Sequence, residues 1–364
     1  MPTKQLKTTE SCIPRINLLW SVLLAAGLSV WLFALSQTGA ERAWLGLLVN
    51  FLYFGPLAAG LTVWLAIIAM SRGGWAKGYE HLAANGILAA GPVILALAAL
   101  WLGSSQWSPW LGRNLPQGVW LDTNFVLGRD LASLTLFWLF AWFYLGRRQR
   151  GKRGGAAGAL FILAYGVVFS LLGFDLVMAL DPAWHSSLFG GYFAVSGLYM
   201  AVAALAFMAS WQPRPRLVFL HDIGKLLLAF SLLTTYLMFS QLLPIWYENL
   251  PGETTFVFAR LQVRPASALS ALLLVVIYLG PLVLLLTVWA KQHRYYLGAV
   301  SGLVLLGMWL ERWWLVLPTL RPGSLPGPGD IGLGLAFVGL WGLAVSFLRH
   351  WFPVPAGPHG RRRP

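Results

Sequence analysis

Charge is what this chain has least of. Only 10% of its 364 residues are charged and 58% are hydrophobic, against about 25% and 45–50% in an average soluble domain. A soluble fold of this length could not cover its surface with so few charges, so the composition specifies an integral membrane protein. Cysteine is reduced to one residue, Cys12. That excludes an internal disulfide, a Cys-ligated iron–sulfur cluster and a covalently attached c-type haem. The six histidines (His81, His185, His221, His293, His350 and His359) all fall at or beyond the ends of apolar runs. A membrane b haem takes histidine ligands from inside its spans, so none is expected here. A cleavable leader with a short apolar core and a small-residue site is also missing. The first apolar run is about twenty residues long, as a retained spanning helix requires. No soluble domain is legible, so any catalysis the protein supports belongs to the membrane or to another subunit.

What is present is a series of ten apolar runs, at 16–36, 47–70, 84–102, 125–146, 157–180, 187–211, 223–245, 266–290, 295–317 and 331–352. Each is long enough to cross a hydrocarbon core of about 30 Å. All should be helices, because a lipid-exposed backbone must satisfy its own hydrogen bonds. The expected fold is an all-α, polytopic membrane protein forming one domain over 1–364. Spans 1–4 occupy 16–146, spans 5–10 occupy 157–352, and a basic cytoplasmic tail covers 353–364. Gly55 with Gly60, Gly86 with Gly91, and Gly190, Gly191 and Gly197 suit close helix contacts. Pro56 and Pro92 predict kinks. A weak repeat is visible, in which Phe54-Gly55 precedes His81 much as Phe189-Gly190 precedes His221. It suggests two four-helix bundles, spans 2–5 and 6–9, flanked by spans 1 and 10. Chance similarity between Gly-rich helices is the rival reading.

Loop charge gives the orientation. The terminal segments and the loops after spans 2, 4, 6 and 8 hold 19 of the 26 basic residues. Both termini are therefore expected in the cytoplasm, and the net charge of +14 reflects topology and anionic headgroups, with no nucleic-acid partner. The outer loops are of another kind. Gly103 to Asn124 carries Trp107, Trp110 and Trp120, rings that favour a membrane interface. Tyr247 to Pro265 begins acidic (Glu248, Glu253) and ends basic (Arg260, Arg264), a mixture that suits contact with a partner.

Ionisable groups in or near apolar spans are costly and are functional candidates for that reason. Asp175 lies near the outer end of span 5, with Asp181 and His185 where the chain turns into span 6. A buried carboxylate of this kind could trade protons. It could equally bond a neighbouring helix, and Asp181 could cap span 6. His221, Asp222 and Lys225 open span 7 from the cytoplasmic side. Capping by Asp222 with an i,i+3 pair to Lys225 accounts for them. The functional reading makes them the mouth of a proton path that Tyr236, Ser240 and Gln241 continue. Arg129-Asp130 on span 4 and Glu311-Arg312 on span 9 lie near outer span ends. Adjacent charges on one helix point about 100° apart, so each pair should engage another helix, with Glu248 in the same outer cluster. They read as ion pairs holding the bundles together, as a proton exit, or as the lining of a quinone headgroup site.

Four stretches carry a resemblance: FDLVMALDPAWHSSLFG from Phe174, HDIGKLL from His221, FSQLLPIWYENLPGET from Phe239, and LERWWLVLP from Leu310 to Pro318. Together they resemble the NrfD-type (polysulfide-reductase-like) membrane proteins, and more closely the ActF-type membrane subunits of bacterial alternative complex III. The likeness runs from about Asn50 to Pro318. Leu176 and Ala179 depart from it, since the family commonly has Trp and Ser there, and Glu311 stands where Asp is frequent. The resemblance implies a subunit of a quinol:electron-acceptor oxidoreductase in a bacterial inner membrane, in a respiratory or photosynthetic chain. It implies no redox cofactor of the chain's own. Its partners would be an NrfD-type quinol-binding subunit and outer-face subunits carrying iron–sulfur clusters and c-type haem. A quinone at or near this subunit, and a proton path through it, follow from the same resemblance. The alternatives are the quinol-binding subunit itself, needing a lateral pocket near Asp175 and His185, and a secondary transporter. The spans read as unbroken at midplane, which weighs against the transporter.

Overall fold

The computed structural model describes residues 13–37, 40–113, 117–151 and 155–348. The expected tail at 353–364, Cys12, His350 and His359 lie outside them. Every regular element among the described residues is helical, and ten helices are long and apolar enough to cross a membrane. These spans are Ile16–Ser36, Glu41–Met70, Glu80–Leu102, Thr123–Gln149, Ala156–Leu180, Phe189–Ser210, Leu217–Glu248, Ala266–Leu284, Arg294–Leu320 and Pro328–Leu348. The protein is thus an all-α, multi-pass membrane protein. Ten crossings leave both ends of the described chain on one side, called proximal below; the opposite side is distal.

Spans 2, 3, 4 and 5 pack in a ring, and spans 6, 7, 8 and 9 form a second one. The rings join where span 6 packs on spans 2 and 5 and where span 9 packs on span 2. Span 2 is consequently the axis of the fold, with 94% of its apolar window buried. At its crossing with span 6, a Cβ on Gly60 would stand 2.7 Å from the Gly197 carbonyl oxygen. Only glycine lets the two backbones approach so closely, the usual route to tight helix contact in lipid. Spans 1 and 10 pack chiefly on each other, and span 10 rests on span 2. The expected pair of four-helix bundles with two flanking helices is the arrangement found.

Two spans depart from the unbroken helices expected. Span 3 begins as a short helix, Glu80–Ala84, passes through a 3-10 turn, Asn85–Ala89, and continues as Ala90–Leu102. Pro92 has no N–H to give to the residue four before it, so the interruption falls just ahead of the proline. Pro56, by contrast, lies inside an uninterrupted helix, Ala40–Met70. Span 8 is helical over Ala266–Leu273, widens to a π-helix over Leu274–Leu279 and resumes at Gly280–Leu284. It does not run on to residue 290; Val288–Gln292 is a separate short helix. Pro281 explains the π turn. It cannot donate to Ile277, and the Tyr199 hydroxyl donates to that carbonyl oxygen instead, at 2.8 Å. Ser231 Oγ donates to the next carbonyl, Tyr278, at 2.7 Å. Side chains from spans 6 and 7 therefore occupy the places the helix ladder leaves open.

Candidate functional site

The strongest concentration of buried polar groups lies in the distal half, as one cluster in each bundle. In the first bundle Arg129 Nη2 of span 4 reaches Asp175 Oδ2 of span 5 at 2.6 Å. The α-helix of span 5 ends at Leu176, one residue beyond Asp175, so the carboxylate is presented at a helix end. Arg129 also lies over the ring of Trp120, 3.9 Å from its centroid, and near Phe125 at 5.0 Å. Asp130 is wholly buried, and neither carboxyl oxygen has a hydrogen-bond partner among the described groups. Arg129 and Asp175 are its charged neighbours. Two carboxyls and one guanidinium thus share a pocket of low dielectric.

The second cluster is deeper. Glu311 and Arg312 of span 9 are both completely buried, with Arg312 Nη1 3.1 Å from Glu311 Oε2. The Tyr192 hydroxyl of span 6 donates to Glu311 and lies 2.9 Å from the Tyr278 hydroxyl of span 8. Arg312 also donates to Ser196 of span 6 and lies 4.6 Å from the ring centroid of Phe193. Gly173 of span 5 also packs closely against the Phe193 side chain. Phe193 thus touches both span 5, at Gly173, and the buried cluster of span 9, at Arg312.

These contacts revise several sequence expectations. Arg129-Asp130 and Glu311-Arg312 each engage another helix, as expected, but within their own bundles, so they do not tie the two bundles together. Arg129 crosses to Asp175, while Glu311 and Arg312 pair with each other despite being adjacent, because long side chains can bend toward one point. Asp181 does not cap span 6: its carboxylate accepts from Ala183 N at 3.3 Å, inside the connecting turn, and Leu188 holds the cap position. His185 is exposed, 4.0 Å from Glu253. Glu248 is exposed at the end of span 7, well outside the buried clusters. Trp107 and Trp110 are buried, and of the three loop tryptophans only Trp120 is exposed.

On the proximal side Asp222 and Lys225 form the expected i,i+3 pair at 2.7 Å, partly exposed, next to a half-buried His221, but the helix already begins at Leu217, so Asp222 lies beyond the first turn and does not cap it. The continuation through span 7 is not formed. Tyr236 is 64% exposed on the outer surface of the bundle, and Gln241 donates to the Leu237 carbonyl of its own helix. The buried polar side chains of span 7 are Ser231, Thr234 and Gln241.

Further buried polar groups escape a reading by hydropathy alone. Tyr192, Ser196 and Tyr199 fall at i, i+4 and i+7 on one face of span 6, a stripe that helical periodicity marks. Arg148 joins Glu80 across spans 4 and 3 at 2.7 Å and donates to the Leu65 carbonyl. Lys291 donates to the carbonyls of Leu285 and Leu286, at 2.7 and 3.0 Å, where span 8 has ended. Burial first, and the nearby Lys225 charge second, hold the Lys291 ammonium below its ordinary range. The segment expected to face a partner contains a helix, Pro251–Leu261, and Arg260 points inward from it. Its guanidinium donates to the carbonyls of Phe256 and Leu315 and to Thr319 Oγ1, at 2.9, 2.6 and 2.9 Å. Burial pushes it down, to about 9, against the pull of Asp181.

Comparison of the chain with protein-family models and with curated proteins finds no match.

Proposed function

We propose that this chain is a membrane subunit of a quinol:electron-acceptor oxidoreductase of the alternative-complex-III type, contributing assembly and proton movement while partner subunits carry the redox groups. The reading rests on the resemblance of four motifs and on one structural observation: each bundle holds a buried ionisable cluster in its distal half. Charges so placed are expensive unless they do something. In the first cluster two carboxyls face one arginine, leaving one negative charge that a single proton neutralises. In the second, Tyr192 and Tyr278 extend a chain of hydroxyls from Glu311 toward the middle of the membrane. His221, Asp222 and Lys225 would form a separate proximal entry, with internal water and Ser231 in the place once assigned to Tyr236 and Gln241. The partners would be an NrfD-type quinol-binding subunit and distal subunits bearing iron–sulfur clusters and c-type haem. The setting would be a bacterial inner membrane with both termini cytoplasmic.

Two measurements test this. Purification in mild detergent should recover haem c and iron–sulfur subunits with the chain. Recovery as a colourless monomer that transports solute in vesicles refutes the reading in favour of a transporter, the alternative to which the interrupted spans 3 and 8 lend weight. With assembly verified, Asp175→Asn or Glu311→Gln should lower proton release per quinol oxidised in vesicles. Unchanged proton yield in both makes the clusters structural.

A further inference from the structure

The resident proton of the first cluster can be placed on one atom group, and so can the side chain that guards it. Asp130 lies seven residues beyond Thr123, where the helix of span 4 starts, about 10 Å of helix axis at 1.5 Å per residue. It is wholly buried, and no N–H or O–H among the described groups reaches either carboxyl oxygen. What stands beside it is another acceptor, the Asp175 carboxyl. Asp175 already has its donor, Arg129 Nη2 at 2.6 Å. A charge-assisted bond of that kind favours the ionised form of Asp175. Asp130 has no such compensation, and a bare carboxylate facing a second one in low dielectric would be the costliest state of this pocket. As a carboxylic acid, Asp130 loses its charge and has a hydrogen bond to give to Asp175.

The surroundings of the pocket are one-sided. One and two turns deeper on the same face of span 4, Leu134 and Phe137 are buried, with Trp138 beside them. The Phe137 ring meets Phe169 of span 5 edge-on at 5.5 Å, and none of these side chains titrates. Toward the distal side the cover is thinner. The Arg129 side chain keeps 16% of its exposure, and the Trp120 ring, itself half exposed, lies over its guanidinium at 3.9 Å. Trp120 belongs to the short 3-10 turn Gly118–Leu121, outside the spans. Arg129 Nε and Nη1 are buried and have no hydrogen-bond partner among the described groups. The guanidinium therefore holds donors in reserve for a second carboxylate.

We propose that Asp130 stores a proton as a neutral carboxylic acid and that Arg129, lidded by Trp120, governs its exchange with the distal face. When Trp120 lifts, the O–H bond of Asp130 breaks and the proton passes to distal water. The reserve donors of Arg129 then turn to the new carboxylate, so that one guanidinium spans both carboxyls until the proton returns. This deepens the proton-moving reading above and rests on it only for the use to which the proton is put. The test needs no partner subunit. The full chain in vesicles is followed by infrared difference spectroscopy in the carboxylic-acid carbonyl region at neutral pH. The wild type should show an acid band that Asp130→Asn removes and Asp130→Glu shifts. Asp175→Asn should remove it as well, because the freed guanidinium turns to Asp130 and ionises it. Trp120→Ala should speed exchange of the acid proton with deuterium oxide about tenfold, as expected for losing a partly desolvated cation–π contact. If Asp130→Asn or Asp175→Asn fails to fold, the band shift in Asp130→Glu and the faster exchange in Trp120→Ala, at a half-exposed position, still decide. A band that survives Asp130→Asn or Asp175→Asn, that Asp130→Glu does not shift, or whose exchange Trp120→Ala leaves unaltered overturns the proposal. Bands as expected with an unchanged proton yield per quinol oxidised uphold the store and refute the function proposed above, so the two failures are told apart.

Discussion

The Glu311–Arg312 pair lends itself to a double-mutant cycle. Both side chains are completely buried and in ion-pair contact, and among the described residues the carboxylate accepts a hydrogen bond from Tyr192. Arg312→Met therefore leaves a lone carboxylate in the bundle, which should cost about 3–5 kcal/mol. Glu311→Gln leaves the guanidinium with Ser196 and the face of Phe193. A desolvated cation–π contact is worth up to about 2 kcal/mol, so this loss should sit at the lower end, about 3 kcal/mol. Independent effects would sum to roughly 6–8 kcal/mol. The double variant leaves no uncompensated charge, only hydroxyls with fewer partners, and should cost about 1–3 kcal/mol. The assay is reversible unfolding in mixed micelles titrated with SDS and followed by circular dichroism. A parallel cycle between Arg129→Met and Glu311→Gln should be additive within about 0.5 kcal/mol, because Arg129 pairs with Asp175 while Glu311 pairs with Arg312 and Tyr192. Additivity in the first cycle, or strong coupling in the second, would refute the reasoning.

Lys291→Met removes the donor to two carbonyls beyond the end of span 8 and should lower stability by about 1–3 kcal/mol. Because Lys291 is held below its ordinary value, the unfolded chain binds the extra proton, so wild-type stability should rise with pH toward 10.5; melting curves across pH should lose that component in the variant. Arg260→Met should free the helix Pro251–Leu261 from span 9 and speed its cleavage by an added protease, while Arg264→Met, at an exposed position, should not. Tyr192→Phe should lower thermal stability by about 1–3 kcal/mol by leaving Glu311 short of a donor. Tyr236→Phe, on the bundle's outer surface, should leave the melting temperature in detergent within a degree.

The helical fold was legible because the bilayer leaves so few alternatives: a run of about twenty apolar residues must close its hydrogen bonds within itself. The bundle pairing was legible through two short repeats of Phe-Gly and His. What hydropathy misses is azimuth. Nothing in the apolar run of span 7 says that Tyr236 faces outward while Ser231 faces span 8. Nor could adjacency on a helix show that Glu311 and Arg312 bend toward each other while Arg129 turns to span 5. The interruption of span 8 was readable in principle, since Gly280-Pro281 removes a donor four residues after Ile277. Its filling by Tyr199 depends on where span 6 sits. The polar composition of the segment hides the inward turn of Arg260, although Pro251 at a helix start followed by Glu253 is an N-terminal signature.

The pairing of spans 1 and 10 also sets a condition on how the protein is made. Span 1 leaves the ribosome before the other nine spans, yet only 6% of its apolar window is covered in the finished molecule, and what covers it is mainly span 10. At about 5–20 residues per second, the roughly three hundred residues between them occupy some tens of seconds. Throughout that interval the small-residue face around Gly27 has no counterpart, since the Gly332 and Ala336 backbone it receives has not been synthesised. The ring of spans 2 to 5 can close, and that of 6 to 9 after it, while the first helix drifts tethered in lipid. Span 10 thus collects span 1, and a nascent chain truncated before Pro328 would hold both rings but leave span 1 unclaimed.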